Sequence, residues 1–225
     1  MSTTADPSPD YRERWISAQD GLQLFLRDYG DPLAPGVPLL CLSGLARNSR
    51  DFVAFARRHA AGRRVVCPDY RGRGRSSYDE DWRNYRPEVY LRDIAALLAA
   101  CNLHRLVVCG TSMGGLLAMG LAVSNPIVLA GAILNDVGPA LATDALGRIR
   151  DHVARDRPLP DWAAAIDEAK RRHAELGYGD DEAKWRRFAE ATFREAPDGR
   201  LRVDWDVRIA RGLSGALPDL WPYFR

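Results

Sequence analysis

Lysine is almost missing from this chain: Lys170 and Lys184 are its two lysines, so arginine carries nearly all of a Lys+Arg total of 32 against 30 Asp+Glu. The arginine bias is a compositional habit, not a site. A net charge of +2 excludes a strongly basic nucleic-acid protein, and a hydrophobic content of 46% excludes a disordered tail. Cysteine is scarce as well. Cys41, Cys67, Cys101 and Cys109 lack metal-ligand spacing, and three of them sit in or beside apolar strand-like runs, which predicts small buried thiols in a reducing cytoplasm. No apolar stretch occupies Met1 to Trp15, so a signal peptide is not expected. Leu106 to Asn135 has no charged residue and is long enough to span a bilayer. Gly110, Gly114, Gly115 and Asn125-Pro126 nevertheless divide it into strand, helix and strand, each too short to cross. A chain of 225 residues needs no disulfide scaffold to bury a core.

What is present is an alternation of short apolar runs with helical periods. Leu22 to Tyr29 alternates as a half-buried strand does, while Val37 to Leu42, Arg64 to Pro68, Leu106 to Cys109 and Val128 to Leu134 are nearly continuous apolar runs, as in strands buried on both faces. Ser49 to Ala60, Glu88 to Cys101 and Leu116 to Val123 read as the helices between them. The expected fold class is therefore α/β, with a mostly parallel, doubly wound sheet. Ligands bind such sheets at the carboxyl ends of the strands, which directs attention to the loops after Leu42, Pro68, Cys109 and Leu134. Beyond Asp136, three amphipathic helical patterns follow, around Ile149 to Ala154, Trp162 to Leu176 and Trp185 to Phe193. Leu201 to Val207 then alternates as a strand or an extended loop.

The sharpest motif is Gly110-Thr111-Ser112-Met113-Gly114-Gly115, a G-x-S-x-G between the LVVC strand and an apolar helix. A strand that reverses into a helix this quickly forces strained backbone angles on Ser112 and needs glycines beside it. The hydroxyl would stand at a helix N-terminus, where developing negative charge is favoured. A serine nucleophile also needs an oxyanion hole. The N–H of Met113 would supply one donor and that of Leu45 the other, with Gly44 letting the Leu42-Ser43-Gly44-Leu45 loop turn inward. The third loop, Asp69-Tyr70-Arg71-Gly72-Arg73-Gly74-Arg75-Ser76, could taken alone be an arginine–glycine RNA patch. Its acidic flanks, Asp69, Asp79, Glu80 and Asp81, favour glycine turns with arginines in ion pairs.

Together the elbow, the L-S-G-L loop with Arg47 to Phe52 after it, the D-Y-R-G-R-G-R-S loop and Leu134-Asn135-Asp136-Val137-Gly138-Pro139 resemble the α/β-hydrolase superfamily, in particular its bacterial, cofactor-free, capped serine hydrolases. The resemblance implies a core over 1–139, then a helical cap and the start of a C-terminal part over 140–225. It implies Ser112 as nucleophile and Leu45 and Met113 as oxyanion donors, with no metal or cofactor. A serine at the elbow argues against branches with an aspartate nucleophile, such as haloalkane dehalogenases and epoxide hydrolases. One departure is Ser43, where many members carry histidine. Asp136 stands where some members place the triad acid; a structural role, bonding loop N–H groups, is the alternative. The family's base is a late histidine. Here His59 and His104 precede Ser112, and His152 and His173 fall on the helical patterns, so the strands that carry acid and histidine in the family are expected after Arg225. Loss of the base costs on the order of 10⁶ in turnover, leaving roughly 10³–10⁴ over water. The expected partner is a small ester, lactone or related acyl compound, with neither nucleic acid nor membrane. A catalytically inactive binding homologue is the alternative.

Overall fold

The computed structural model describes residues 10–140, 143–213 and Trp221. Its main sheet has six strands: β1 (Tyr11–Ser17), β2 (Gln23–Tyr29), β3 (Gly36–Leu42), β4 (Arg63–Pro68), β5 (Leu106–Thr111) and β6 (Leu129–Asn135), in the order β1-β2-β4-β3-β5-β6. The β3, β4, β5 and β6 neighbours pair in parallel; β1 with β2 and β2 with β4 are antiparallel. All four expected apolar runs are strands. β1 lies where no strand was expected: Arg12, Glu13 and Arg14 mask its period, and as an edge strand it needs only one neighbour.

Burial shows why the inner runs are apolar throughout. Successive residues of a strand point to opposite faces, and both faces of this sheet are covered. Leu40, Leu42, Val66 and Val108 join one core cluster, packed with residues of α2 (Pro87–Ala100) and α3 (Met113–Ser124). Their neighbours Leu39, Cys41, Val65, Cys67 and Cys109 join a second, completed by Phe52 and by Ala56 of α1 (Val53–His59). The four cysteines are free and buried. β6 departs from the expectation of burial on both faces: it is an edge strand, and Ile133 is 50% exposed. Among the described residues no helix is long and apolar enough to cross a membrane.

The helical segment contains α4 (Thr143–Val153), α5 (Trp162–Arg172) and α6 (Glu182–Thr192). Asp161 and Asp181 cap α5 and α6 by accepting the N–H groups of Ala164 and Lys184. Phe193, read as helical in sequence, is extended and opens β7 (Phe193–Glu195), which pairs antiparallel with β8 (Leu201–Val203). The alternation through Val207 ends early as a strand because the chain next docks on the arginine–glycine loop. Asp206 donates its N–H to the Gly72 carbonyl at 2.8 Å, and Gly74 donates to the Asp204 carbonyl at 3.1 Å. This docking seats the helical segment at the carboxyl end of the sheet.

Candidate active site

β3 has β4 on one side and β5 on the other, so the chain reverses its winding between β3 and β5. A crevice opens at such a switch point, beyond the carboxyl ends of the strands. The register brings the expected residues there. Leu42 pairs with Gly110, Gly110 with Leu134 and Thr111 with Asn135, so the loops carrying Gly44 and Leu45, Ser112 and Met113, and Asp136 leave the sheet side by side.

Ser112 has φ 51° and ψ −115° and is half-buried. Such angles cost a non-glycine residue about 1–3 kcal/mol. The surroundings impose them. Ser112 donates its N–H to the Asn135 carbonyl at 2.9 Å while its own carbonyl accepts from Gly115 and Leu116, so one residue ends the β5 pairing and starts α3. A Cβ on Gly114 would lie 2.1 Å from the Leu42 carbonyl oxygen, and one on Gly110 would lie 2.4 Å from the Gly114 carbonyl oxygen. Helix and strand therefore approach too closely for any side chain at these two places.

The loop after β3 is held by its carbonyls. Ser43 O accepts from the Tyr70 hydroxyl at 3.3 Å, Gly44 O from the Arg47 N–H at 3.2 Å and Leu45 O from Arg73 Nε at 2.8 Å. Burial pushes the Tyr70 phenol up, so it stays a protonated donor. Among the described residues the N–H groups of Leu45 and Met113 have no protein acceptor. Both remain free to bind an oxygen.

The arginine–glycine loop supports this end of the sheet. Arg71, 1% exposed, forms ion pairs with Asp93, Asp79 and Asp20, and Arg75 pairs with Glu13. Arg73 corrects the expectation of ion pairs throughout: it bonds Leu45 O, Arg71 O and the Tyr90 hydroxyl, with its guanidinium 4.8 Å from the centre of the Tyr90 ring. Arg71 and Arg73 are buried, out of reach of an RNA backbone. Sequence reasoning missed the work of Tyr70 and Arg73 on the Leu45 loop; the interleaving of Tyr70, Tyr85 and Tyr90 with the arginines was the available signal. Asp69 is buried and accepts the N–H groups of Ser49 and Arg75. Its burial raises its carboxyl, as burial pushes that of Asp204 up to about 6 although Arg50 opposes the shift.

Asp136 is exposed, with φ 55°. Among the described residues its carboxylate accepts no hydrogen bond from a loop N–H group. None of the four histidines is paired with Ser112 or Asp136 among the described residues. His59 packs on Phe55, His104 bonds Asn102 at the amino end of β5, and His152 and His173 stand together in the helical segment with ring centres 6.0 Å apart. The structure thus brings together Ser112, Met113, Gly44 and Leu45, with Asp136 one position beyond the Thr111–Asn135 pair.

A family model for the alpha/beta hydrolase fold matches residues 37–194. The chain belongs to this family. A solved alpha/beta hydrolase from Novosphingobium aromaticivorans superposes with a TM-score of 0.88 at 41% identity, covering 96% of this chain and 77% of that one. The 3-hydroxybutyrate-oligomer hydrolase of Cupriavidus necator is 44% identical over 122 residues, 54% of this chain and 41% of that protein. Lipase LipV of Mycobacterium tuberculosis is 31% identical over 141 residues, 63% of this chain and 51% of that lipase. The chain therefore spans about half or less of the length of these two relatives. As in other alpha/beta hydrolase folds, the sheet is mostly parallel with helices on both faces.

Proposed function

We propose that the protein is a serine hydrolase acting on a small ester, lactone or related acyl compound held beneath the helical segment, which serves as a cap. Ser112 Oγ attacks the acyl carbonyl, its proton leaves to a base, and the N–H groups of Leu45 and Met113 receive the negative oxygen of the tetrahedral intermediate. As that intermediate collapses, the base returns the proton to the leaving oxygen, the C–O bond breaks to free the alcohol, and water then cleaves the acyl-serine to the acid and regenerates Ser112. Asp136 is proposed as an orienting carboxylate at the same edge. The observation that carries the reading is the strained Ser112 backbone at the β5–α3 turn, beside two free N–H groups. The names of the two relatives, a 3-hydroxybutyrate-oligomer hydrolase and a lipase, support a hydrolase.

No imidazole of the chain is paired with Ser112 among the described residues, so the base is the weak part of the machine. Added imidazole should act in its place. Peptide mass spectrometry after fluorophosphonate treatment tests this: an adduct on Ser112 that increases with imidazole and is lost in Ser112→Ala is the expected outcome. A folded protein that takes no adduct on Ser112 in either condition would overturn the proposal.

A further inference from the structure

Arg73 is fully buried and, unlike its neighbours Arg71 and Arg75, forms no ion pair among the described residues. Its guanidinium donates to the Leu45 carbonyl through Nε at 2.8 Å, and to the Arg71 carbonyl and the Tyr90 hydroxyl through Nη1 at 2.7 and 2.8 Å. Nη2 is buried with no hydrogen-bond partner among the described residues. The ring centres of Tyr70, Tyr85 and Tyr90 lie 5.8, 5.7 and 4.8 Å from the guanidinium carbon, so aromatic rings stand where a carboxylate would otherwise be.

A buried cation with no carboxylate beside it is unfavourable, and holding a loop carbonyl does not require one. A neutral donor would serve. An unsatisfied buried donor on the same group adds to the cost and calls for an explanation of its own. Both features make sense beside a place where negative charge develops: a cation that no carboxylate neutralises at rest keeps its field for a charge that appears only during reaction. Leu45, the residue Arg73 bonds, carries one of the two free N–H groups beside Ser112.

The hydrogen bonds fix the peptide units on both sides of Leu45. The unit that contains the Leu45 N–H has its carbonyl, that of Gly44, bonded to the Arg47 N–H at 3.2 Å; the next unit has its carbonyl, that of Leu45, bonded to Arg73. Peptide units are rigid, so holding both carbonyls also sets the direction of the N–H between them. The base of this strut is fixed as well. On one side of Arg73 the Gly72 carbonyl accepts the Asp206 N–H at 2.8 Å, on the other the Gly74 N–H donates to the Asp204 carbonyl at 3.1 Å, and Arg73 itself bridges to Trp205. The stretch that docks the helical segment therefore also anchors the residue that reaches Leu45.

We propose that Arg73 is a positioning residue for acyl transfer at Ser112: acting through Leu45, it aligns one of the two oxyanion donors and keeps an unpaired positive charge beside the loop that receives the negative oxygen. This rests on the reading of Ser112 as nucleophile. The three arginines of the loop then divide their roles. Arg71 and Arg75 are held by carboxylates and fasten the loop, whereas Arg73, surrounded by tyrosines, keeps its charge for the reaction.

The test is the rate at which Ser112 of the whole protein takes a fluorophosphonate, measured over a range of probe concentrations at one imidazole concentration. The phosphoryl oxygen of the probe stands in for the acyl oxygen, so the limiting rate reports the oxyanion donors and the half-saturating concentration reports binding. Outright loss of an oxyanion donor costs about 10²–10³ in rate. Arg73→Met displaces the Leu45 N–H without removing it, and should lower the limiting rate about tenfold or more while the half-saturating concentration stays within about twofold. Arg73→Lys keeps the charge but brings one ammonium to three acceptors, and should fall between, about threefold or more below the unmodified protein. Asp93→Asn, which weakens the fold through Arg71, should label at the unmodified rate and so separates lost stability from lost alignment. Unfolding curves verify that each variant is folded, and if Arg73→Met is not, Arg73→Lys decides. A folded methionine or lysine variant with the unmodified limiting rate, or an equal loss of rate in Asp93→Asn, would overturn the proposal. An adduct that forms at a rate indifferent to Arg73 removes this proposal alone; no adduct on Ser112 of the unmodified protein removes the hydrolase reading and this proposal with it.

Discussion

Replacing Gly114 with alanine tests the closest approach in the molecule's working end. The added Cβ would stand 2.1 Å from the Leu42 carbonyl oxygen, 2.6 Å from the carbonyl carbon and 2.9 Å from Leu42 Cβ. Comfortable separation is about 3.5 Å, so α3 or the end of β3 must retreat by about 1 Å. The nearest atoms are backbone in an inner strand, and no rotamer change relieves them. Overpacking of this kind costs about 1–3 kcal/mol. The upper end is expected here, which in a chain of this size lowers the melting temperature by roughly 6–12 °C. The control is Gly131→Ala in β6, where the nearest atom is Val107 Cγ2 at 3.9 Å; replacing that strand glycine should be neutral or stabilising by up to about 1 kcal/mol. Urea unfolding followed by circular dichroism gives the midpoints, compared at constant slope. Because Leu42 leads directly into the loop that carries Leu45, the Gly114 variant should also lose Ser112 labelling under conditions where it remains folded. A midpoint equal to that of the unmodified protein, or to that of Gly131→Ala, would refute the claim that the α3–β3 approach is what demands glycine.

Two further substitutions test the charges that position the loops. Asp93 holds the buried Arg71 through two hydrogen bonds of 2.7 and 2.6 Å, so Asp93→Asn should cost about 3 kcal/mol, whereas Asp20→Asn, at the half-exposed partner, should cost under about 1 kcal/mol; equal urea midpoints for the two variants would contradict this. Asp204 has its folded carboxyl pushed up to about 6 from a reference of 3.8, so the folded chain keeps a proton that the unfolded chain has released. The stabilisation this provides is complete below the unfolded pKa and is lost as pH rises from about 4 to 6, by at most roughly 3 kcal/mol. The unfolding free energy of the unmodified protein should therefore fall relative to Asp204→Asn between pH 4 and pH 7; a rise would mean that the Arg50 ion pair, not burial, governs this carboxyl.

Legibility in the sequence followed the range of the interactions. β3, β4 and β5 could be read because a strand buried on both faces must be apolar at every step, and Val37 to Leu42 or Leu106 to Cys109 has no other economical reading. The elbow could be read for a local reason in part: the crowding that requires Gly110 comes from Gly114 and Gly115 within the same turn of chain, whereas Gly114 is required by Leu42 of β3, a contact the motif alone does not show. β1 escaped because its edge position tolerates Arg12, Glu13 and Arg14. β7 escaped because a three-residue strand has no period to detect.

By itself, then, the sequence determined the α/β alternation, the strand–turn–helix at Ser112 and the loops that share an end of the sheet, all consequences of neighbours within a few positions. Only the tertiary structure decided that Tyr70 and Arg73 hold the carbonyls of Ser43 and Leu45, and that Asp206 docks on Gly72. It alone placed His152 beside His173, Arg172 and Trp205. These pairings join residues about 20 to more than 130 positions apart. Side-chain periodicity reports which face of an element is buried and not what that face meets, so no local pattern could announce them.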